Sequence, residues 1–91
     1  MKIQLELDVV PVAGGPIARF ERAVRWELVP RVDDDIELVR GSDVSSPVES
    51  VIFQTNGDIR IILYAYEEDD AERVAAMLRG ERSRWIETKG A

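Results

Sequence analysis

The side chains that carry most nucleophilic and metal chemistry are missing from this chain: its 91 residues include no histidine and no cysteine. That removes Ser-His and Cys-His nucleophiles, imidazole- or thiolate-held zinc and iron, disulfides, and a histidine pH switch. Any chemistry would rest on carboxylates, tyrosines, lysine or backbone groups. The densest carboxylates are Asp33-Asp34-Asp35 with Glu37. In an extended segment Asp33, Asp35 and Glu37 share a side, and hard cations such as Ca²⁺ and Mg²⁺ favour such oxygens. The run lacks the glycine and the distal glutamate of an EF-hand loop, so a solvated acidic turn is expected. Glu67-Glu68-Asp69-Asp70 precedes a helical pattern, where acids complement the helix dipole.

Two aromatic groups complete the inventory. Tyr64 and Tyr66 alternate with Ile62 and read as strand residues with a core face. Arg79, Arg82 and Arg84 surround Trp85, but three cations on a chain of net charge −6 do not make a phosphate-binding surface. Gly14-Gly15 lacks the lysine and helix of a phosphate loop. No catalytic residue, metal ligand, cofactor or nucleic-acid site is expected, and an enzyme is the least favoured reading. Phe53, Tyr64, Tyr66 and Trp85 are the residues expected to form an interaction surface.

Length and composition bound the rest. Ninety-one residues, 45% hydrophobic and 33% charged, suit one globular domain over residues 1–91 with the last few frayed. The apolar runs are far shorter than the roughly 20 residues of a membrane helix. The first ten residues alternate and contain no hydrophobic signal core. A cytoplasmic location is expected.

The elements that would position these residues follow from periodicity. Lys2–Val9 alternates cleanly, with Ile3, Leu5, Leu7 and Val9 on one face. Pro11–Pro16 is a loop. Ile17–Val29 fits a strand with Phe20, Val24, Trp26 and Leu28 on one face and Arg22 intruding. A helix over the same segment would leave Trp26 in water, so the strand is preferred. Pro30 ends the element, Arg31–Asp35 turns, Ile36–Val39 is a short strand and Gly41–Pro47 a loop.

Val48–Thr55 and Asp58–Tyr66 flank Asn56-Gly57, the signature of a type I′ hairpin. That turn predicts Thr55 opposite Asp58, Phe53 opposite Arg60, Val51 opposite Ile62 and Glu49 opposite Tyr64. Ile52, Ile59, Ile61 and Leu63 would take one face, and Val51, Phe53, Ile62, Tyr64 and Tyr66 the other. A helix follows, with Asp69 as N-cap, Glu72 in a capping-box position, Gly80 as terminator, and Ala71, Val74, Ala75 and Leu78 as its apolar stripe. That stripe is expected to cover the Val51–Tyr64 face. Trp85 and Ile86 are expected to dock back. The fold class is mainly β (α+β): a small antiparallel meander or partly open barrel of about five strands, with one C-terminal helix packed on it.

The segment Leu28-Val29-Pro30-Arg31-Val32-Asp33-Asp34-Asp35-Ile36-Glu37-Leu38, with Val48–Phe53 and Ile59–Leu63 after it, resembles small bacterial and phage proteins. In those a strand ends in a Val-Pro-Arg-Val-Gly-Asp-like turn; here Asp33 stands where the pattern has glycine. The resemblance implies a small Src-homology-3-like barrel, a fold with no single function. The expected role is a protein–protein interaction or structural accessory module with an unknown protein partner. The alternative is an acidic inhibitor or immunity-type protein steered to a basic target.

Overall fold

The computed structural model describes residues 2–88. Six strands run in the order β3-β4-β5-β1-β2-β6 and form one curled sheet, a half-barrel with a helix near the C-terminus. The strands are β1 (Lys2–Val9), β2 (Ala18–Arg25), β3 (Asp35–Glu37), β4 (Ser45–Phe53), β5 (Ile59–Leu63) and β6 (Ile86–Thr88). The helix α1 spans Ala71–Arg79, and a 3₁₀ turn follows at Glu81–Ser83.

The alternation of β1 decides the centre. Ile3, Leu5, Leu7 and Val9 are buried, and Lys2, Gln4, Glu6 and Asp8 lie on the outer face. β2 pairs with β1 antiparallel, and Ile17–Val29 is a strand where it is regular. Phe20 and Val24 are buried as expected, but β2 stops at Arg25. Leu28, expected on the core face, is 83% exposed, because the chain has left the sheet two residues earlier. β5 joins the other side of β1 in parallel, so the sheet departs from a meander there. The long return through β3 and β4 makes that parallel pairing feasible.

Two expectations for the hairpin are corrected. The turn is not type I′. Gln54 N–H donates to the Asp58 carbonyl (2.9 Å) and Gly57 N–H to the Gln54 carbonyl (3.1 Å). Gly57 has φ of +91°, whereas Asn56 is not among the positive-φ residues. This is a three-residue loop with a bulge at its left-handed glycine, and it moves the register by one residue. Phe53 faces Ile59, Val51 faces Ile61 and Ile52 faces Arg60; Phe53 does not face Arg60, nor Val51 Ile62. The buried face is therefore Ile59, Ile61 and Leu63, without Ile52. A second irregularity between Val48 and Ser50 removes the predicted Glu49–Tyr64 pair.

The loop assigned to Gly41–Pro47 is also shorter than expected, since β4 already begins at Ser45. Pro47 sits in the strand without an N–H, and its carbonyl accepts from Tyr64 N–H. β5 ends at Leu63, and Tyr66 forms an isolated parallel bridge to Val9. Before β3, Asp33 has φ of +74° in the third position of the Arg31–Asp34 turn, as type II turns require. Aspartate tolerates this left-handed backbone better than most residues.

Helix α1 buries the expected stripe of Ala71, Val74, Ala75 and Leu78. These residues join one core with Ile3, Leu5, Leu7, Ile61 and Leu63, so the helix covers the Ile59–Ile61–Leu63 face. The expected Val51–Phe53–Ile62–Tyr64 face does not form, because the register sets Val51 and Phe53 opposite Ile61 and Ile59, on their side of the sheet. The N-cap is Asp70 and not Asp69, and no side-chain cap bond forms. The Asp70 carboxylate is instead taken by the Tyr66 hydroxyl (2.6 Å) and by Arg73 (2.6 Å).

After the helix, Ser83 Oγ donates to the Leu78 carbonyl and accepts from Trp85 N–H. Arg84 has a left-handed φ of 64° and turns the chain inward. Trp85 is buried as expected, but Ile86 is 68% exposed, because it lies in β6 beside Glu21.

Two outcomes follow. Leu78→Ala should cost about 2–4 kcal/mol in a urea titration, the range for truncating a buried leucine. Gly57→Val should cost more than about 1 kcal/mol, because a β-branched residue is forced to positive φ. A midpoint unchanged in either variant would contradict that helix packing or that loop.

Candidate interaction surface

The residues expected to form one interaction surface lie apart. Trp85 is 6% exposed, and its indole N–H donates to the Leu38 carbonyl at 2.6 Å. It is a core residue that joins the segment before β6 to the segment after β3. Tyr66 is half-buried and held by Asp70. Phe53 and Tyr64 are exposed at opposite ends of the β4–β5 hairpin. The basic-aromatic group is likewise divided: Trp85 is inside and Arg79 is engaged by Glu87 through two bonds of 2.8 and 2.9 Å.

The Tyr66–Asp70–Arg73 group has a clear electrostatic signature. Burial, with the Asp70 carboxylate as acceptor, pushes the Tyr66 phenol up to about 12. Hydrogen bonds from Tyr66 and Arg73 hold Asp70 below the usual carboxylate range. Arg79 does the same for Glu87. These are structural ties, because each charge already has a partner and none lines an enclosed cavity.

The outer face of the sheet is also internally satisfied. Arg60 grips Glu6 through bonds of 2.6 and 2.9 Å, Arg19 holds Asp8 and Gln4 bonds Glu21. Glu6 and Glu21 stand directly opposite across β1 and β2. Arg60 and the Gln4 amide offset that like-charge contact. Among the described residues no three acids converge as a metal site. The Asp33–Asp35 run is split by the left-handed backbone at Asp33.

The seam of the half-barrel is a shallow cleft lined by Arg22 and Trp26 on one side and Asp35, Ile36, Glu37 and Arg40 on the other. It mixes two cations with two carboxylates and offers no single charge to a ligand.

The remaining surface is an edge. β3 pairs only with Ser45–Pro47 of β4, and the turn before β3 bonds Val48, so Glu49–Phe53 has no neighbour on that side among the described residues. Gln54 N–H points to β5, so the alternation of a strand turns the backbone groups of Val51 and Phe53 to the open side. No partner for those N–H and C=O groups occurs among the described residues. Phe53 is 72% exposed and Ile52 is also exposed. Periodicity could not single out this edge, because strand neighbours are a tertiary property.

No family model matches the sequence, and neither curated proteins nor solved structures give a match. No helix among the described residues is long and apolar enough to cross a membrane.

The Tyr66 pairing makes stability depend on alkaline pH. The unfolded chain ionises a tyrosine near about 10, but folded Tyr66 ionises only near 12. Its stabilisation is whole below about 10 and is lost as pH rises towards 12. Tyr66→Phe should reduce the loss of unfolding free energy between pH 9 and 11.5, measured by urea titration. An unchanged loss would refute the Tyr66–Asp70 link.

Proposed function

We propose that this chain is a protein–protein interaction module that binds an extended segment of its partner along the open edge of β4. The observation that carries the reading is the run Glu49–Phe53, whose flank away from β5 has no partner among the described residues, with exposed Ile52 and Phe53. Sheets usually blunt such edges with lysine, proline, a covering loop or great shortness. Glu49 and a bulge protect one end here, but Val51-Ile52-Phe53 carries none of these devices. Strand addition satisfies the backbone groups of Val51 and Phe53 and lays partner side chains beside Phe53.

Chemistry points the same way. The polar outer face closes on itself through ion pairs, and the chain has no histidine or cysteine for turnover. Phe53 is a suitable anchor, because exposed aromatics bring a large burial term at small conformational cost.

Selection from a library of extended peptides tests the reading. Selected peptides should perturb the amide resonances of Val51 and Phe53 most. Phe53→Ser should weaken them by about 10- to 100-fold, equivalent to about 1–3 kcal/mol. Its melting temperature should stay within a few degrees, since the ring is mostly in solvent. Peptides that perturb only other surfaces, or a library that yields no binder, would overturn the proposal.

A further inference from the structure

We infer that the partner segment at the β4 edge is apolar along its length and basic at the end that meets the Asp33-Asp34 turn; this rests on the strand-addition reading. The edge has two chemically different ends. At one end Asp33 N–H donates to the Val48 carbonyl and Val48 N–H to the Asp34 carbonyl. This turn occupies the line that β3 follows along β4, so an added strand ends against it. Asp33 and Asp34, bonded through their backbone to Val48, and Glu49, next to Val48 in sequence, are all exposed at this end. None of the three carboxylates has a cation within ion-pair distance among the described residues. Arg31 is the one cation of that turn, which leaves a net excess of two negative charges with Glu49 included. Asp34 spends one oxygen on Arg31 N–H and keeps its charge.

At the other end lie Gln54, Thr55 and Asn56, with Asp58 held by the Asn56 amide. Asp58, bonded by a neutral amide, keeps its charge, but it is one carboxylate against a net excess of two at the turn. Opposite charge is therefore called for most strongly at the turn end, and the middle contacts are Val51, Ile52 and Phe53.

A second copy of this chain fits worse. Antiparallel pairing of two β4 edges about Val51 sets Val48 opposite Gln54 of the second copy. Each Asp33-Asp34 turn then approaches the other copy's Asp58, which is bonded to Gln54. Both chains also carry −6. Like charges in such positions oppose association.

The test uses synthetic octapeptides of alternating valine and threonine, with two lysines at the N-terminus, two at the C-terminus, or none. Binding to the intact chain is followed by titration calorimetry, and its site by amide shifts. One lysine-bearing peptide should bind at the β4 edge more tightly than the neutral one, and the advantage should shrink as salt rises. Asp33→Asn with Glu49→Gln should cut that advantage several-fold and leave the neutral peptide unchanged. Asparagine is chosen because it tolerates the left-handed backbone at residue 33. If the neutral peptide binds the edge as tightly as either basic one, the charge inference falls and strand addition stands. If no peptide perturbs Val51 and Phe53, both fall. Sedimentation showing a dimer that buries β4 would assign the edge to a second copy and overturn the inference.

Discussion

A curled sheet that stops short of a full barrel has two edges and an apolar inner face to hide, and here one hydrogen bond spans the gap. The Trp85 indole donates to the Leu38 carbonyl at 2.6 Å, 47 residues away in sequence. Leu38 follows β3 at one edge, and Trp85 precedes β6 at the other. The indole fills the space between them, and its N–H satisfies a carbonyl in the core. An unpaired buried carbonyl would cost about 1–3 kcal/mol, in addition to the lost ring contacts. Buried Trp85 thereby ties the chain after β3 to the chain before β6, and through Ser83 to the end of helix α1.

The segment that delivers Trp85 is shaped accordingly. Ser83 ties the last turn of the helix to Trp85, accepting its N–H while donating to the Leu78 carbonyl. Arg84 adopts the left-handed conformation in between. An L-residue with a side chain does so at a cost of about 1–2 kcal/mol, which burial of the indole offsets. The sheet edges are consequently unequal. One is extended by short β6 and tied by Arg79–Glu87, whereas β4 runs past the end of β3 with a bare flank.

The chemistry of the chain fits this asymmetry. Charged pairs spread across the outer face, Glu6 with Arg60 and Asp8 with Arg19, neutralise one another and leave no concentrated field. The unpaired charge at the β4 edge is negative, and the exposed apolar side chains Ile52 and Phe53 lie beside it. The recognition of an extended segment proposed above draws on both features, with backbone bonds and apolar contact for affinity and charge for direction.

Local patterns determined a good part of this by themselves. The period-2 alternation of Lys2–Val9 placed Ile3, Leu5, Leu7 and Val9 inside, because neighbouring strand residues must point to opposite faces. The 3.6 periodicity of Ala71, Val74, Ala75 and Leu78 gave the buried stripe of the helix, since those positions share one side. The glycine of Asn56-Gly57 marked a positive φ. What it did not settle was whether two or three residues close the loop, and that difference exchanged the partners of Val51, Ile52 and Phe53. A hairpin register depends on how the whole sheet buries Ile59 and Ile61, so only the packed structure decided it. The parallel β1–β5 pairing, the Trp85–Leu38 closure and the open flank of Glu49–Phe53 join residues distant in sequence. Such long-range neighbours leave no periodic trace along the chain, and so tertiary structure alone chose which strand edge is left bare.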